Sequence, residues 1–137
     1  MISVELSQKI ERDLEADLLR RIEKGTMDGL KAIALMTQAD AQRRVLKGPK
    51  TGRIYGRHQA SAPGEAPAND TGFLAGSIRI DINQKWEVDL RALAPYAVHL
   101  EYGTRKMAPR PFLRPAAESV GKQAPKVFDE AIRAALR

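Results

Sequence analysis

The chain contains no cysteine, which removes disulfides, thiolate metal sites and thiol nucleophiles together and suits assembly in a reducing compartment. Histidine is almost as scarce. His58 and His99 stand in unlike surroundings, and no His-Glu-x-x-His or related spacing accompanies them, so no metal ligand set is expected. No Gly-rich loop ending in Gly-Lys-Ser/Thr is present for phosphate, and Ser77 lacks a nucleophile elbow. The carboxylate pair Asp13 and Asp17 falls on a solvated helix face. These absences predict no catalytic residues, no metal and no cofactor, and hence a protein that is not an enzyme. No apolar run approaches the roughly 20 residues of a membrane span, and the N-terminus has no basic-then-apolar leader. A soluble protein made in a cytoplasm, without membrane contact, is expected.

What remains is a chain of 137 residues with 43% hydrophobic and 29% charged positions, enough for one domain with a modest core. Its 23 basic and 17 acidic residues leave a net charge of +6, which admits a polyanionic partner. The bases are mostly interleaved with acids, as on solvated helix faces. The short basic patches are Arg43-Arg44, the stretch from Lys47 to Arg57, and Arg105-Lys106.

In the N-terminal part, residues 1–47, Leu6, Ile10, Leu14, Leu18 and Ile22 recur every fourth residue among charged neighbours. This predicts an amphipathic helix from about Ser3 to Lys24 whose apolar stripe packs either on the chain's own core or on a partner helix. Gly25 and Gly29 each cost about 1 kcal/mol in a helix interior, so a break or sharp kink is expected there. A second helix follows from about Met27 to Leu46, with Leu30, Ile33, Ala34, Ala41 and Val45 on its apolar face and Gly48-Pro49 as its stop.

Residues 48–70 turn to Gly, Pro, Ala, Ser and basic side chains without apolar periodicity, so a long mobile loop is expected. Lys50, Arg53, Tyr55, Arg57 and His58 are its candidate contacts with a partner. Residues 71–137 complete the domain. Ile78, Ile80 and Ile82 alternate with polar residues, as do Trp86, Val88 and Leu90 after Asn83-Gln84-Lys85. This predicts an antiparallel hairpin with one buried face, Trp86 lying in the core or on the sheet. A lone hairpin is only marginally stable, so helices should cover it and a further strand is expected over 106–113. The last helical pattern, from Pro115 to Leu136, should kink or restart at Pro125.

The densest punctuation lies between Ala94 and Ala116, where three of the seven aromatics, Gly103 and four prolines fall in one run. Pro95 fits the start of a short helix, Tyr96 and Leu100 share its face, and Gly103 would end it. Pro109, Pro111 and Pro115 then favour extended chain, with Phe112 and Leu113 anchoring it on the core. Glu101 is the one acid in the run. It is expected to hold the turn through Arg105, Arg110 or Arg114, or to pair with a neighbouring subunit. Taken together, the elements predict a single α+β domain: N-terminal amphipathic helices and a C-terminal helix packed on a small antiparallel sheet.

Tyr96, Ala97, Glu101, Tyr102, Gly103, Thr104 and Met107, followed by Arg110-Pro111-Phe112-Leu113-Arg114-Pro115-Ala116, form a block that resembles the tail-component family of tailed bacteriophages. That family is typified by the tenth gene product of phage Hong Kong ninety-seven. A second block, Ala60 to Ile78, stands upstream in the same order. The resemblance covers residues 50–137 closely and the N-terminal helices by pattern. It implies a structural virion protein of a phage or prophage, a tail-completion or tail-terminator component at the head-tail junction. Such a protein forms a ring, often six-fold, caps the tail tube and receives the head connector or stopper, with DNA in the channel close by. It implies a virion location, with assembly in the host bacterial cytoplasm, from a subunit that is either oligomeric or monomeric in solution. On this view Lys50, Arg53, Tyr55, Arg57, His58, Glu101, Arg105, Lys106, Met107 and Arg110 are the candidate interface residues. The alternative is a basic nucleic-acid-binding module built on the loop, which would bind with strong salt dependence.

Overall fold

One helix sets the frame. In the computed structural model, which describes residues 2–69 and 71–137, α1 runs from Ile2 to Lys47 without interruption, a rise of roughly 69 Å at 1.5 Å per residue. The break expected at Gly25 and Gly29 does not occur. The reason is tertiary: both glycines face the C-terminal helix α5 (Ala124–Leu136). A Cβ added at Gly25 would lie 2.8 Å from the Ile132 Cα, and one at Gly29 would lie 2.6 Å from Phe128 Cδ1. The propensity cost of each glycine is therefore offset by an approach of two helix backbones that no larger residue permits.

Four further helices and two hairpins follow among the described residues. The loop carries β1 (Ile54–Tyr55) and β2 (His58–Gln59); a short helix α2 (Phe73–Gly76) leads into β3 (Ile78–Gln84) and β4 (Glu87–Ala92); α3 (Ala97–Tyr102) and α4 (Leu113–Gly121) precede α5. The architecture is α+β, with two separate two-stranded antiparallel sheets. The larger hairpin pairs Ile78 with Ala92, Ile80 with Leu90 and Ile82 with Val88, so the apolar alternation of both strands falls on one face as expected. Its turn lies one step further along than expected. Lys85 and Trp86 form it, and Trp86 takes a positive φ of 69° outside any strand, instead of the core or sheet position its spacing suggested. The turn is held from α1: Lys85 Nζ stands 2.5 Å from Glu23 Oε1, and the Trp86 amide lies 3.1 Å from Met27 Sδ.

Among the described residues no third strand joins this sheet. Over 106–113 only an isolated bridge between Thr104 and Met107 forms, because Pro109 and Pro111 remove amide donors that a ladder needs. The C-terminal pattern divides where expected. α4 ends at Gly121, and α5 begins with Pro125 in its first turn, where a missing N–H costs nothing.

The core gathers at the C-terminal half of α1. Ala41 and Val45 meet Leu74, Ala75, Ile78, Ala94, Ala97, Phe112 and Ala116, with Leu90, Leu100 and Leu113 packed around them. Phe112, Ile78 and Val45 are its largest fully enclosed side chains, and the anchor role expected of Phe112 is met. Alanine at 41, 75, 94, 97 and 116 brings the backbones close. Two α1 glutamines complete the seam, Gln38 Nε2 donating to the Ile78 carbonyl at 2.8 Å and Gln42 Nε2 to that of Ala75 at 3.1 Å.

Candidate interaction surfaces

The loop, described over residues 48–69, has structure of its own, which its composition did not announce. Ile54 pairs with Gln59 and Tyr55 with His58 across a turn at Gly56-Arg57, where Gly56 has φ 62°. Gly52 and Ala60 extend the ladder through the bonds Gly52 N–H to Ala60 O and Ala60 N–H to Arg53 O, both 2.9 Å. The base of the loop is stapled by Glu65. Its carboxylate accepts the amides of Thr51 and Ala62, each at 2.8 Å, and the Thr51 hydroxyl at 2.5 Å. Hydrogen bonds from Thr51 and Ala62 hold that carboxyl below its usual range.

Lys50, expected to face a partner, points inward. Its ammonium donates to the carbonyls of Pro67 at 2.8 Å, Ala66 at 3.1 Å and Arg44 at 3.2 Å. Burial pushes its pKa down, opposed by the nearby Glu65 charge. This lysine closes the loop onto the end of α1. Arg110 is also turned inward, Nε and Nη2 donating to the Ser61 carbonyl at 3.3 and 3.2 Å. Met107 is half-buried in the bridge with Thr104.

Glu101 holds the turn, but not through arginine. Its Oε2 accepts the amides of Phe112 at 2.9 Å and Leu113 at 3.1 Å, and its Oε1 accepts that of Arg114 at 2.8 Å. It is thus a remote cap for the N-terminus of α4, meeting three donors that a helix leaves open and placing a negative charge at the positive end of the dipole. The guanidinium of Arg114 turns to Glu118 instead. Gly103, with φ 76° and ψ 178°, is in a region open to glycine alone. A Cβ there would stand 2.8 Å from the Met107 carbonyl and 2.9 Å from Pro109.

Of the ten candidate residues, the exposed ones are Arg53, Tyr55, Arg57, Arg105 and Lys106, with His58 half-covered in β2. The Arg53 guanidinium lies 5.4 Å from the Tyr55 ring centroid, a cation–π contact on an open surface. Two crevices flank α3. One, of 320 Å³, is lined by Ser61, Phe73, Leu74, Tyr96, Leu100 and Arg110, and the other, of 430 Å³, by Leu90, Val98, Glu101, Tyr102, Leu113 and Ala117, among others. Their charged groups are already engaged, Arg110 and Glu101 with backbone and Arg114 with Glu118.

The residues that spacing left undecided are those of the N-terminal stripe. Every described side chain from Val4 to Arg21 is exposed except the half-covered Asp17. Leu6, Ile10, Leu14 and Leu18 are 49–64% exposed, on a stretch that precedes the contact with α5. Leu19, Phe73, Leu93, Val98 and Tyr102 add further open apolar surface, and a folded monomer seldom leaves large contiguous patches of this kind uncovered. Compared with protein-family models, curated proteins and solved structures, the chain matches none.

Proposed function

We propose that the chain is a structural phage or prophage protein, a tail-completion or tail-terminator component that assembles as a ring at the head-tail junction and caps the tail tube. The observation that carries this reading joins the two blocks of the resemblance. Arg110, in the downstream block, donates to the Ser61 carbonyl in the upstream one, and the Gly64 amide donates to the Pro109 carbonyl at 3.0 Å. The segments that resemble the family thus build one end of the molecule together. The open apolar stripe of α1 supports it further, since a ring of small subunits requires surface that a monomer leaves uncovered. On this reading the protein works by surface complementarity and performs no chemistry. Its partners are further copies of itself, the tail tube protein and the head connector.

A second reading has one observation in its favour: Tyr55 is 58% exposed between Arg53 and Arg57, a combination suited to a nucleic-acid strand. Titration with single- and double-stranded DNA at rising salt tests it, and absence of binding at low salt removes it.

The test of the main reading is to mix the purified chain with preformed tail tubes and image them by negative stain. A ring or plug at the tube end is expected. Tube ends identical with and without the protein, over a range that saturates any binding, would refute it.

A further inference from the structure

Two surfaces at opposite ends of this molecule are complementary in charge, and neither is satisfied among the described residues. At the N-terminal end, residues 5–17 of α1 carry Glu5, Glu11, Asp13, Glu15 and Asp17 against Lys9 and Arg12. Asp17 pairs with Arg21. Glu5, Glu11, Asp13 and Glu15 have no basic partner among the described residues, and they flank the exposed ridge of Leu6, Ile10, Leu14 and Leu18. At the other end, residues 50–58 and 104–110 hold six bases and no acid. Lys50 and Arg110 are spent on carbonyls. Arg53, Arg57, Arg105 and Lys106 form no ion pair with any described residue, and beside them Ile54 and Tyr55 are 66% and 58% exposed.

The geometry forbids these surfaces from meeting inside one chain. The basic end is fastened to the C-terminus of α1 by Lys50, and roughly 50 Å of helix rise separates Asp13 from Lys47. We propose that the acidic segment 5–17 of one copy, with its apolar ridge, docks on the Arg53–Arg57 hairpin and the Arg105-Lys106 turn of the next copy. The contact is heterologous, because each copy offers both halves, and repetition closes a ring where the rotation per subunit permits. Ile54 and Tyr55 supply apolar contact to the leucine ridge, and the charges set direction and register. The contact refines the ring reading given above by naming its two halves.

Paired charge reversal tests it. One variant carries Asp13→Arg and Glu15→Arg, the other Arg53→Glu and Arg57→Glu. All four side chains are exposed, so circular dichroism should show both variants folded as the wild type is. Solution mass by light scattering is followed over a concentration series at low and high salt. The wild type should self-associate, less so as salt rises, and each variant alone should associate at least tenfold more weakly. An equimolar mixture should regain wild-type association, since the reversed helix of one variant meets the reversed hairpin of the other. Wild-type association by either variant alone, or a mixture that stays monomeric, would overturn the contact. So would a wild type that remains monomeric throughout while its Arg53 and Arg57 bind DNA. The tail-tube experiment reads separately: rings on tubes with no effect of charge reversal would sink this contact and leave the tail reading intact, whereas rescued association without tube binding would do the reverse.

Discussion

The two halves of α1 differ in surroundings more than in pattern. Both carry apolar residues at helical spacing, and both continue one backbone. Residues 25–47 are flanked by α5, the larger hairpin and the core around Phe112, and Gly25, Gly29, Ala34, Ala41 and Val45 lie buried. Residues 4–21 are flanked by solvent. What distinguishes the buried half is small residues: two glycines and several alanines let neighbouring backbones come close, while Leu6, Ile10, Leu14 and Leu18 stand exposed on a shaft that no other described element covers. Apolar periodicity shows that a helix has a face to cover; residue size shows whether another backbone of the same chain can approach it.

This contrast is open to being broken. The largest effect should come from Phe112→Ala beneath the buried half. With a fully enclosed ring it is expected to cost about 3–5 kcal/mol, read as a shift in a urea or thermal melt. Next, Glu101→Ala strips the cap from α4 and leaves three amides without their carboxylate. A loss of about 1–3 kcal/mol is expected, and a melt equal to wild type would show that the cap is dispensable. Gly25→Ala then sharpens the comparison. Alanine is the better helix former by about 1 kcal/mol, yet its Cβ would stand 2.8 Å from the Ile132 backbone. Overpacking should win, for a net loss of about 1–2 kcal/mol, whereas stabilisation would mean that α5 sits further away.

The loop gives a pH-dependent signature. The Glu65 carboxyl is held below its usual value of 4.5 by Thr51 and Ala62, so its contribution is present above that value and lost as pH falls through the lower folded one. Protection of the loop amides, their exchange measured against an unstructured chain at the same pH, should therefore fall as pH drops below about 4.5, and Glu65→Gln should flatten the dependence. The smallest effect belongs to the exposed half of the helix. Leu14→Ala, at a side chain 64% exposed, should change monomer stability by no more than about 0.5 kcal/mol while weakening any self-association.

Much of the fold was legible because its signals are local. Alternation of Ile78, Ile80 and Ile82 with Val88 and Leu90 marked the larger hairpin, Gly103 marked the end of α3, and Pro125 marked the restart before α5. Signals that depend on distant neighbours mislead when read locally. Gly25 and Gly29 look like helix breakers until α5 lies against them. Trp86 continues the alternation of β4, but the chain reverses at that residue. The loop hairpin rests on two pairs, too short to leave a period, and the Pro-rich stretch that suggested a third strand lacks the donors for one.

The candidate site was legible in part, for the same reason. Sequence alone identifies the basic residues of the loop and turn, but not which face outward. Lys50 and Arg110 carry the same positive charge as Arg53 and Arg57, and what turns them inward is the carbonyls of Pro67 and Ser61 within reach. Glu101 was correctly placed as the residue holding its turn, but its partners are backbone amides, which no pattern of side chains displays. The open stripe of α1 was visible as a stripe; that no described residue covers it was not.

The most direct test of the account is amide hydrogen exchange along α1, measured on dilute and concentrated protein. Strong protection is expected over 25–47 at both concentrations, including the amides around Gly25 and Gly29, with rapid exchange over 4–21 that slows only as concentration rises. Rapid exchange centred on Gly25 to Gly29 would contradict the continuous helix. Protection of 4–21 that is already complete in the dilute monomer would contradict the claim that this half is left for another molecule.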